Sequence, residues 1–179
     1  MYEYKRLTAQ YDSAIAGLIR STLERFKLDI PGTAYYDEAL DHLSEYYDVP
    51  GRAYYVLLDG DKPVGGIGIA EYGGCPGCCE LQKLYLDRSC SGHGLGYEMV
   101  RFIEDKARSL GYERIYLETH TCLGAAVHIY ERSGYTTVDK HDEAVHGAMD
   151  RFYLKDLCHG DRATGTVLLS SRVPRDRHI

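Results

Sequence analysis

The feature that most constrains this chain is a glycine-rich run between an extended segment and a helical pattern. The run reads Ser91-Gly92-His93-Gly94-Leu95-Gly96; residues 80–87 before it predict a strand, and helical spacing begins at Leu95. Three glycines in five positions leave the turn without β-carbons, so its N–H groups can surround a phosphate, assisted by the dipole of the following helix. The run therefore predicts a phosphate-binding loop, with a tight connection that holds no ligand as the alternative.

The glycine spacing restricts which phosphate ligand this loop can bind. The chain has G-x-G-x-G, whereas the dinucleotide-binding fingerprint requires G-x-G-x-x-G. No G-K-[ST] follows the run, as a nucleoside triphosphate loop would require. Nicotinamide dinucleotides and ATP are therefore disfavoured.

Two motifs in this order resemble those of the GNAT acetyltransferase superfamily. The diphosphate loop of that family has the form [Q/R]-x-x-G-x-[G/A], and residues 91–96 match it except at Ser91. Residues 80–86, ELQKLYL, resemble the family's fourth strand. Residues 125–135, AAVHIYERSGY, resemble its helix motif A-x-x-x-Y-E-x-x-G-[FY]. The resemblance covers about residues 1–157.

The resemblance implies an α/β fold with a mixed, largely antiparallel central sheet, a parallel β-α-β segment at the coenzyme site and helices on both faces. It also implies that acetyl-CoA, as cosubstrate, donates an acetyl group to a primary amine of a small molecule or peptide. Transfer would occur by direct attack in a ternary complex. A non-catalytic acyl-CoA-binding or sensing module is the alternative, because Ser91 replaces the usual Arg or Gln. Leu123 stands where many members carry Asn, so the hydrogen bond usual at that position is not expected here.

The same resemblance assigns roles to particular residues. Tyr130 is the candidate proton donor to the leaving thiolate, with an ordinary amphipathic aromatic residue at a helix end as the alternative. The backbone of the fourth strand would bind the pantetheine arm, and one of its N–H groups would polarise the thioester carbonyl. The implied coenzyme-binding residues are Leu84, Tyr85, Leu86, Ser91, Gly92, His93, Gly94, Leu95 and Gly96.

Acyl transfer to an amine also requires a way to remove a proton. A primary amine with a pKa of about 10.4 is neutral in only about one molecule in 10³ at pH 7. Glu80 occupies the strand position where some members of the family carry a glutamate base, and Glu118 is the reserve. The alternatives for Glu80 are a solvated carboxylate at a strand end and one neutralised by Lys83.

The six cysteines invite a metal interpretation, since Cys75 and Cys78 have C-x-x-C spacing. A structural zinc site usually needs a second pair of ligands, but Cys90, Cys122 and Cys158 are scattered singly. We therefore expect reduced loop thiols and no metal. A covalent route through Cys90 or Cys122 is also disfavoured, because neither has a recognisable His and acid partner in the sequence.

Composition is typical of one compact domain over residues 1–157, followed by a polar tail over residues 158–179 that is ordered only if docked. The net charge of −6 disfavours nucleic acid as a partner. No stretch has the apolar length of a membrane span, and the N-terminus lacks a signal-like apolar region, so we expect no membrane association and a cytoplasmic location. Frequencies among soluble oligomers favour a homodimer.

Periodicity predicts the order of the elements. Asp12 or Ser13 is the expected cap of the first helix, and Leu110 is expected on the buried stripe of the helix after the glycine run. A tyrosine-rich stretch, residues 35–55, either shapes an acceptor pocket or packs against the sheet. The predicted strands are 2–8, 53–58, 64–71, 80–87, 113–119, 135–138 and 149–157, and the predicted helices are 10–28, 36–47, 95–110 and 125–133.

Overall fold

The computed structural model describes residues 1–140 and 146–157, so the predicted tail at 158–179 lies outside the described residues. Within them the chain forms one seven-stranded sheet with the order β1-β2-β3-β4-β5-β7-β6. The strands are β1 (Tyr2–Arg6), β2 (Ala53–Asp59), β3 (Lys62–Glu71), β4 (Cys78–Leu86), β5 (Arg114–Thr119), β6 (Thr136–Thr137) and β7 (Arg151–Asp156). All neighbouring pairs are antiparallel except β4 and β5, which are parallel. The predicted mixed sheet with a parallel β-α-β segment is confirmed.

Helices cover both faces of this sheet, as expected. They are α1 (Ala9–Arg25), α2 (Leu43–Tyr46), α3 (Leu95–Ser109) and α4 (Gly124–Arg132). The apolar stripe of α1, with Ile15 and Ile19, packs with α2 on the face of β2 that presents Val56. The stripe of α3, with Met99 and Ile103, packs with α4 on the opposite face. No helix within the described part of the chain combines the length and the apolar character needed to cross a membrane.

The predicted cap of α1 is wrong. The N-cap residue is Thr8, about one turn before the predicted cap, and its backbone is extended. Asp12 instead lies buried inside the helix and accepts hydrogen bonds from the backbone N–H of Ser44 at 2.8 Å and from its hydroxyl at 2.5 Å. Sequence spacing suggested a local partner, whereas the carboxylate binds α2 across the fold.

The predicted helix over residues 36–47 is broken into shorter pieces. Two 3-10 turns, Ala34–Tyr36 and Leu40–His42, precede α2, although Leu40 and Leu43 are buried as expected. Asp37 between the turns has extended backbone and directs its carboxylate to Lys83 of β4.

The buried position expected for Leu110 is also wrong, because this residue lies just past the end of α3 and is 45% exposed.

The most consequential irregularity is a bulge in β4. Gln82 pairs with Gly68 and Tyr85 with Gly66, so Lys83 and Leu84 together face one residue of β3. Lys83 has a φ of +53°, the left-handed region that a residue with a side chain seldom adopts. On its other edge β4 pairs with β5 only from Cys78 to Glu80. The second half of β4 is therefore not paired to β5.

Tyr54 holds this bulge in place. Its ring lies against the backbone of Gly66 and Gly68, where an added β-carbon would overlap the ring. Its hydroxyl donates a hydrogen bond to the Lys83 carbonyl at 2.9 Å. The glycines of β3 thus admit an aromatic side chain that fixes the shape of β4. For this member of the tyrosine-rich stretch, packing is the observed role.

Candidate active site

A cavity of about 330 Å³ opens beside the second half of β4, and we call it the loop cavity. Eight of the nine predicted coenzyme-binding residues line it, and the ninth, His93, is exposed and does not. The lining also includes Thr22, Arg25 and Phe26 from the end of α1. From the sheet and the loop it includes Leu84, Tyr85, Leu86, Ser91, Gly92, Gly94, Leu95 and Gly96, and from α4 and the turn before it Leu123, Ala125, Ala126 and Ile129.

The glycine loop has the backbone geometry of an anion site. Gly92 and Gly94 have φ values of +84° and +77°, which glycine adopts without strain. Gly94 is the N-cap of α3, and its carbonyl accepts the N–H groups of Tyr97 and Glu98. The N–H groups of the residues just before Tyr97 lie in the first helical turn, where a helix offers no internal partner. They and the helix dipole favour an anion in the loop cavity.

A second cavity of about 70 Å³ lies along the same stretch of β4, and we call it the carboxylate cavity. It contains Glu80, Glu118 and Tyr130, and it shares four lining residues with the loop cavity. The shared residues are Leu84, Tyr85, Leu123 and Ala126. The two cavities therefore meet at the bulge of β4, and both predicted catalytic residues lie in the smaller one.

Glu80 lies at the end of the paired part of β4 and is only 5% exposed. Its carboxylate accepts a hydrogen bond from Gln82 at 2.7 Å, and Gln82 is held in turn by the hydroxyl of Tyr47 at 2.8 Å. Burial raises the pKa of Glu80 above its usual value, the hydrogen bond from Gln82 opposes this, and the charge of Glu118 adds to it. The interpretation of Glu80 as a solvated carboxylate is therefore wrong.

Lys83 does not form an ion pair with Glu80 either, so the second alternative for Glu80 is also wrong. The ammonium of Lys83 forms an ion pair with Asp37, with 2.5 Å between Nζ and Oδ2. The ring of His146 contacts the other carboxylate oxygen, with 3.0 Å between Nε2 and Oδ1. Burial acts to raise the pKa of Asp37, but His146 and Lys83 outweigh it and hold this pKa at about 2. The charged partner of Lys83 is thus Asp37 and not Glu80.

Glu118 and His146 complete the carboxylate cavity. The backbone N–H of His146 donates to Glu118 at 3.3 Å, and the hydroxyl of Tyr116 donates to it at 3.2 Å. One carboxylate oxygen each from Glu80 and Glu118 and one ring nitrogen of His146 all lie within 4.8 Å of one another. Two carboxylates and an imidazole could hold a divalent cation, and two carboxylates could equally bind an ammonium group. Sequence analysis missed His146 and Asp37, which are 109 positions apart.

Tyr130 reaches the carboxylate cavity from α4. It is 4% exposed, and burial raises its pKa well above the usual value for tyrosine. The hydroxyl is therefore protonated near neutral pH. The side chain packs against the rings of Tyr135 and Tyr153, with centroids 5.8 Å and 6.3 Å away. A buried, protonated phenol in the carboxylate cavity can act as a proton donor.

The cysteine predictions need two corrections. Cys75 and Cys78 form a disulfide across the turn between β3 and β4, so these two are not reduced loop thiols. Among described residues Cys79, Cys90 and Cys122 are free, and Cys158 lies outside the described part. The statement that Cys122 lacks a His and acid partner is also wrong, because His120 contacts its thiol and Asp150 lies on the far side of the His120 ring.

Comparisons with known proteins identify the family of this chain. Residues 15–135 match the model of the Acetyltransferase (GNAT) family, and the chain belongs to this family of N-acetyltransferases. It is 37% identical over 137 residues to the protein named Uncharacterized N-acetyltransferase YjgM from Escherichia coli strain K12. That match covers 75% of this chain and 82% of the relative.

Solved structures share the fold. A GNAT acetyltransferase from Staphylococcus aureus Mu50 superposes with a TM-score of 0.78 at 17% identity, covering 88% of this chain and 99% of that one. The PaiA N-acetyltransferase from Thermoplasma acidophilum, solved in complex with coenzyme A, superposes with a TM-score of 0.69 at 14% identity and covers 87% and 99% of the two chains. At these identities the likeness concerns the fold alone.

Proposed function

We propose that this chain transfers an acetyl group from acetyl-CoA to a primary amine of a small molecule or peptide, by direct attack in a ternary complex in the cytoplasm. The observation that carries the proposal is the meeting of the two cavities at Leu84 and Tyr85. One cavity has the features of an anion site, and the other contains the buried carboxylate of Glu80 and the half-buried carboxylate of Glu118. A thioester at the junction would be open to attack from the carboxylate cavity.

The loop cavity supports acetyl-CoA as the donor. The amides of Leu95 and Gly96 are available to the diphosphate, and the backbone of β4 that β5 leaves unpaired is available to the pantetheine arm. Ser91 provides no guanidinium, but Arg25 lines the same cavity from the end of α1. We assign to Arg25 the cationic contact that an Arg at position 91 would make. The structure of PaiA with coenzyme A is consistent with this use of the fold.

The carboxylate cavity supports a cationic amine as the acceptor. Lys83 pairs with Asp37, and within the described residues neither Glu80 nor Glu118 contacts a lysine or an arginine. An ammonium group between them would gain two charge-assisted hydrogen bonds, each stronger than a neutral one. The cavity is small, so the amine itself enters while the rest of the acceptor stays outside.

The chemistry follows from these positions. Glu80 accepts one proton from the bound ammonium, and the neutral nitrogen attacks the thioester carbonyl. A backbone N–H of the β4 bulge stabilises the oxyanion that forms. The bond between carbon and sulfur then breaks, and the hydroxyl of Tyr130 donates a proton to the departing thiolate. The amide nitrogen loses its second proton, and both residues recover their starting states by exchange with solvent.

An acceptor screen tests the proposal. The purified chain is mixed with acetyl-CoA and with separate polyamines, aminoglycosides, amino acids and peptides, and release of free coenzyme thiol is measured. We expect release that requires one of these amines and yields its N-acetyl product. Acetyl-CoA binding by calorimetry without release for any amine would support the sensing module instead. Absence of acetyl-CoA binding would refute both.

A further inference from the structure

A second group of reactive side chains lies on the turn between β5 and α4. The thiol sulfur of Cys122 lies 3.0 Å from Nδ1 of His120, and Nε2 of the same ring lies 3.9 Å from Oδ2 of Asp150. Cys122 is exposed. A nucleophile beside a base that is oriented by an acid is the arrangement used for covalent acyl transfer.

A hydrogen bond from the backbone determines the tautomer of the neutral His120 ring. The N–H of Cys122 donates to Nδ1 of His120 at 3.2 Å, so Nδ1 carries a lone pair in this arrangement. The proton of the neutral ring is then on Nε2, the nitrogen that faces Asp150. Asp150 is fixed by accepting the N–H of Thr121 at 2.8 Å. The single lone pair of Nδ1 is therefore shared between the N–H and the thiol of Cys122, and it can accept the thiol proton.

The thiol also lies next to the place where a thioester would be bound. Leu123, the residue after Cys122, lines both the loop cavity and the carboxylate cavity. The sulfur of Cys122 lies 4.0 Å from the carbonyl oxygen of Phe26, which lines the loop cavity from α1. Cys122 thus lines neither cavity, but it is next to two residues, Phe26 and Leu123, that line the loop cavity.

The thiol needs its base. Burial raises the pKa of Cys122, and the charge of Asp150 acts in the same direction. The resting group is therefore a thiol rather than a thiolate at neutral pH. Proton transfer to His120 as the sulfur attacks overcomes this, and Asp150 stabilises the imidazolium that forms.

We propose that Cys122 is a second acyl acceptor, acetylated on sulfur by acetyl-CoA, with His120 as the base and Asp150 as the residue that orients it. The inference rests on the proposed function only in requiring that acetyl-CoA binds. Nδ1 of His120 takes the thiol proton, Sγ bonds to the acetyl carbon, and the carbon–sulfur bond of the coenzyme breaks. The coenzyme thiolate then takes the proton from His120. One thioester replaces another, so excess acetyl-CoA drives the step and excess coenzyme A reverses it.

Mass spectrometry of the full chain tests this inference. With millimolar acetyl-CoA and no amine, we expect a mass increase of one acetyl group, mapped to Cys122 and removed by hydroxylamine. Cys122→Ala should abolish it, and Cys90→Ser should leave the label on Cys122. Labelled coenzyme A should also exchange into acetyl-CoA in the absence of amine. No S-acetylation in a chain that binds acetyl-CoA by calorimetry would overturn the inference and leave the proposed function intact.

The role of His120 has its own measurement. In His120→Gln the rate of S-acetylation should fall by about 100-fold, the usual contribution of a general base. Alkylation of Cys122 by iodoacetamide, which needs no acetyl-CoA, should slow in the same variant. Equal rates of both reactions in the variant and the parent chain would contradict a His120-assisted thiol, and circular dichroism confirms that the variant is folded.

Discussion

The loop cavity and the carboxylate cavity share four residues but are built in opposite ways. The loop cavity uses backbone N–H groups from one continuous stretch, and its side-chain charge is the guanidinium of Arg25. The carboxylate cavity uses side chains from distant parts of the chain, and its charges are mainly carboxylates. The two sides of a single bulged strand therefore carry a backbone geometry suited to anions and a pair of carboxylates suited to cations.

This contrast matches the two ligands that acetyl transfer requires. A diphosphate suits amides at a helix N-terminus, and an ammonium group suits paired carboxylates. Substitutions on one side should therefore change coenzyme affinity, and substitutions on the other should change turnover.

Replacement of the candidate base should have the largest effect. Glu80→Gln keeps the size of the side chain but cannot accept a proton, so kcat should fall by about 10²- to 10⁴-fold. The Kd for acetyl-CoA should not change. Burial raises the pKa of Glu80, so ionisation of this carboxyl destabilises the folded parent chain as pH rises through that pKa. At pH values above that pKa, Glu80→Gln should therefore be at least as stable as the parent chain. The matched control is Glu113→Gln at an exposed position. Full turnover in Glu80→Gln would remove Glu80 from the mechanism.

Loss of the proton donor should have a smaller effect on the same cavity. Tyr130→Phe removes only the hydroxyl, so we expect kcat to fall by about 10- to 100-fold while acetyl-CoA binding stays within a few fold. Tyr135→Phe removes a buried hydroxyl from the neighbouring ring and serves as the control. Steady-state kinetics with the best acceptor compares the two. Equal turnover in both variants would show that the Tyr130 hydroxyl has no catalytic role.

The loop should respond in affinity rather than in turnover. Gly94→Val forces a side chain into a φ of +77°, at a cost of roughly 1–2 kcal/mol, so the Kd for acetyl-CoA should rise by about 5- to 30-fold. Gly111→Val imposes similar strain at the other end of α3, where φ is +87° and space is also open. It should lower the melting temperature without changing the Kd. Equal Kd values for the two variants would show that the loop does not bind the coenzyme.

Arg25 should contribute a modest part of the same affinity. Arg25→Gln removes the cation from the rim of the loop cavity, and we expect the Kd for acetyl-CoA to rise about 5-fold at low salt. Arg101→Gln, on the exposed face of α3, is the control. Titration calorimetry at two salt concentrations measures both. An unchanged Kd in Arg25→Gln would show that Arg25 does not make the contact that an Arg at position 91 would make.

The smallest expected effect is a shift in a pH profile. Only ionised Glu80 acts as a base, so kcat/KM should rise as pH rises through its pKa, which lies above the usual value of 4.5. The charge of Glu118 contributes to that shift, so Glu118→Gln should move the midpoint of this rise to lower pH. Rates measured from pH 5 upward, with the acceptor well below its KM, locate the midpoint. A midpoint that moves to higher pH would contradict the assigned coupling.

The sequence predicted the loop cavity more fully than the carboxylate cavity, for a physical reason. The loop depends on glycine backbone and on a helix start, both of which are local and leave a readable spacing between residues 91 and 96. The interaction of Asp37 with His146 depends on the whole fold, because no short-range pattern brings residues 109 positions apart into contact. Glu80 was found only through its place in a resembling strand.

The secondary-structure predictions were wrong where a side chain interacts with a residue far away in the sequence. Residues 36–47 have helical spacing, yet Asp37 lies in extended backbone and pairs with Lys83. The bulge at Lys83 left no pattern in β4 itself; its cause is Tyr54 of β2 lying against Gly66 and Gly68 of β3. His120 and Cys122 stand two positions apart in the sequence, but only the turn before α4 aims the ring at the thiol.

One calorimetric comparison tests the central claim most directly, namely that amides of the glycine loop hold the diphosphate of the acetyl donor. Acetyl-CoA and acetyl-pantetheine, which lacks the nucleotide and the diphosphate, are each titrated into the full chain. We predict one acetyl-CoA per chain and affinity for acetyl-pantetheine weaker by about 100-fold or more, the loss expected for two charge-assisted hydrogen bonds. Equal affinities, or no heat with millimolar acetyl-CoA, would contradict the account.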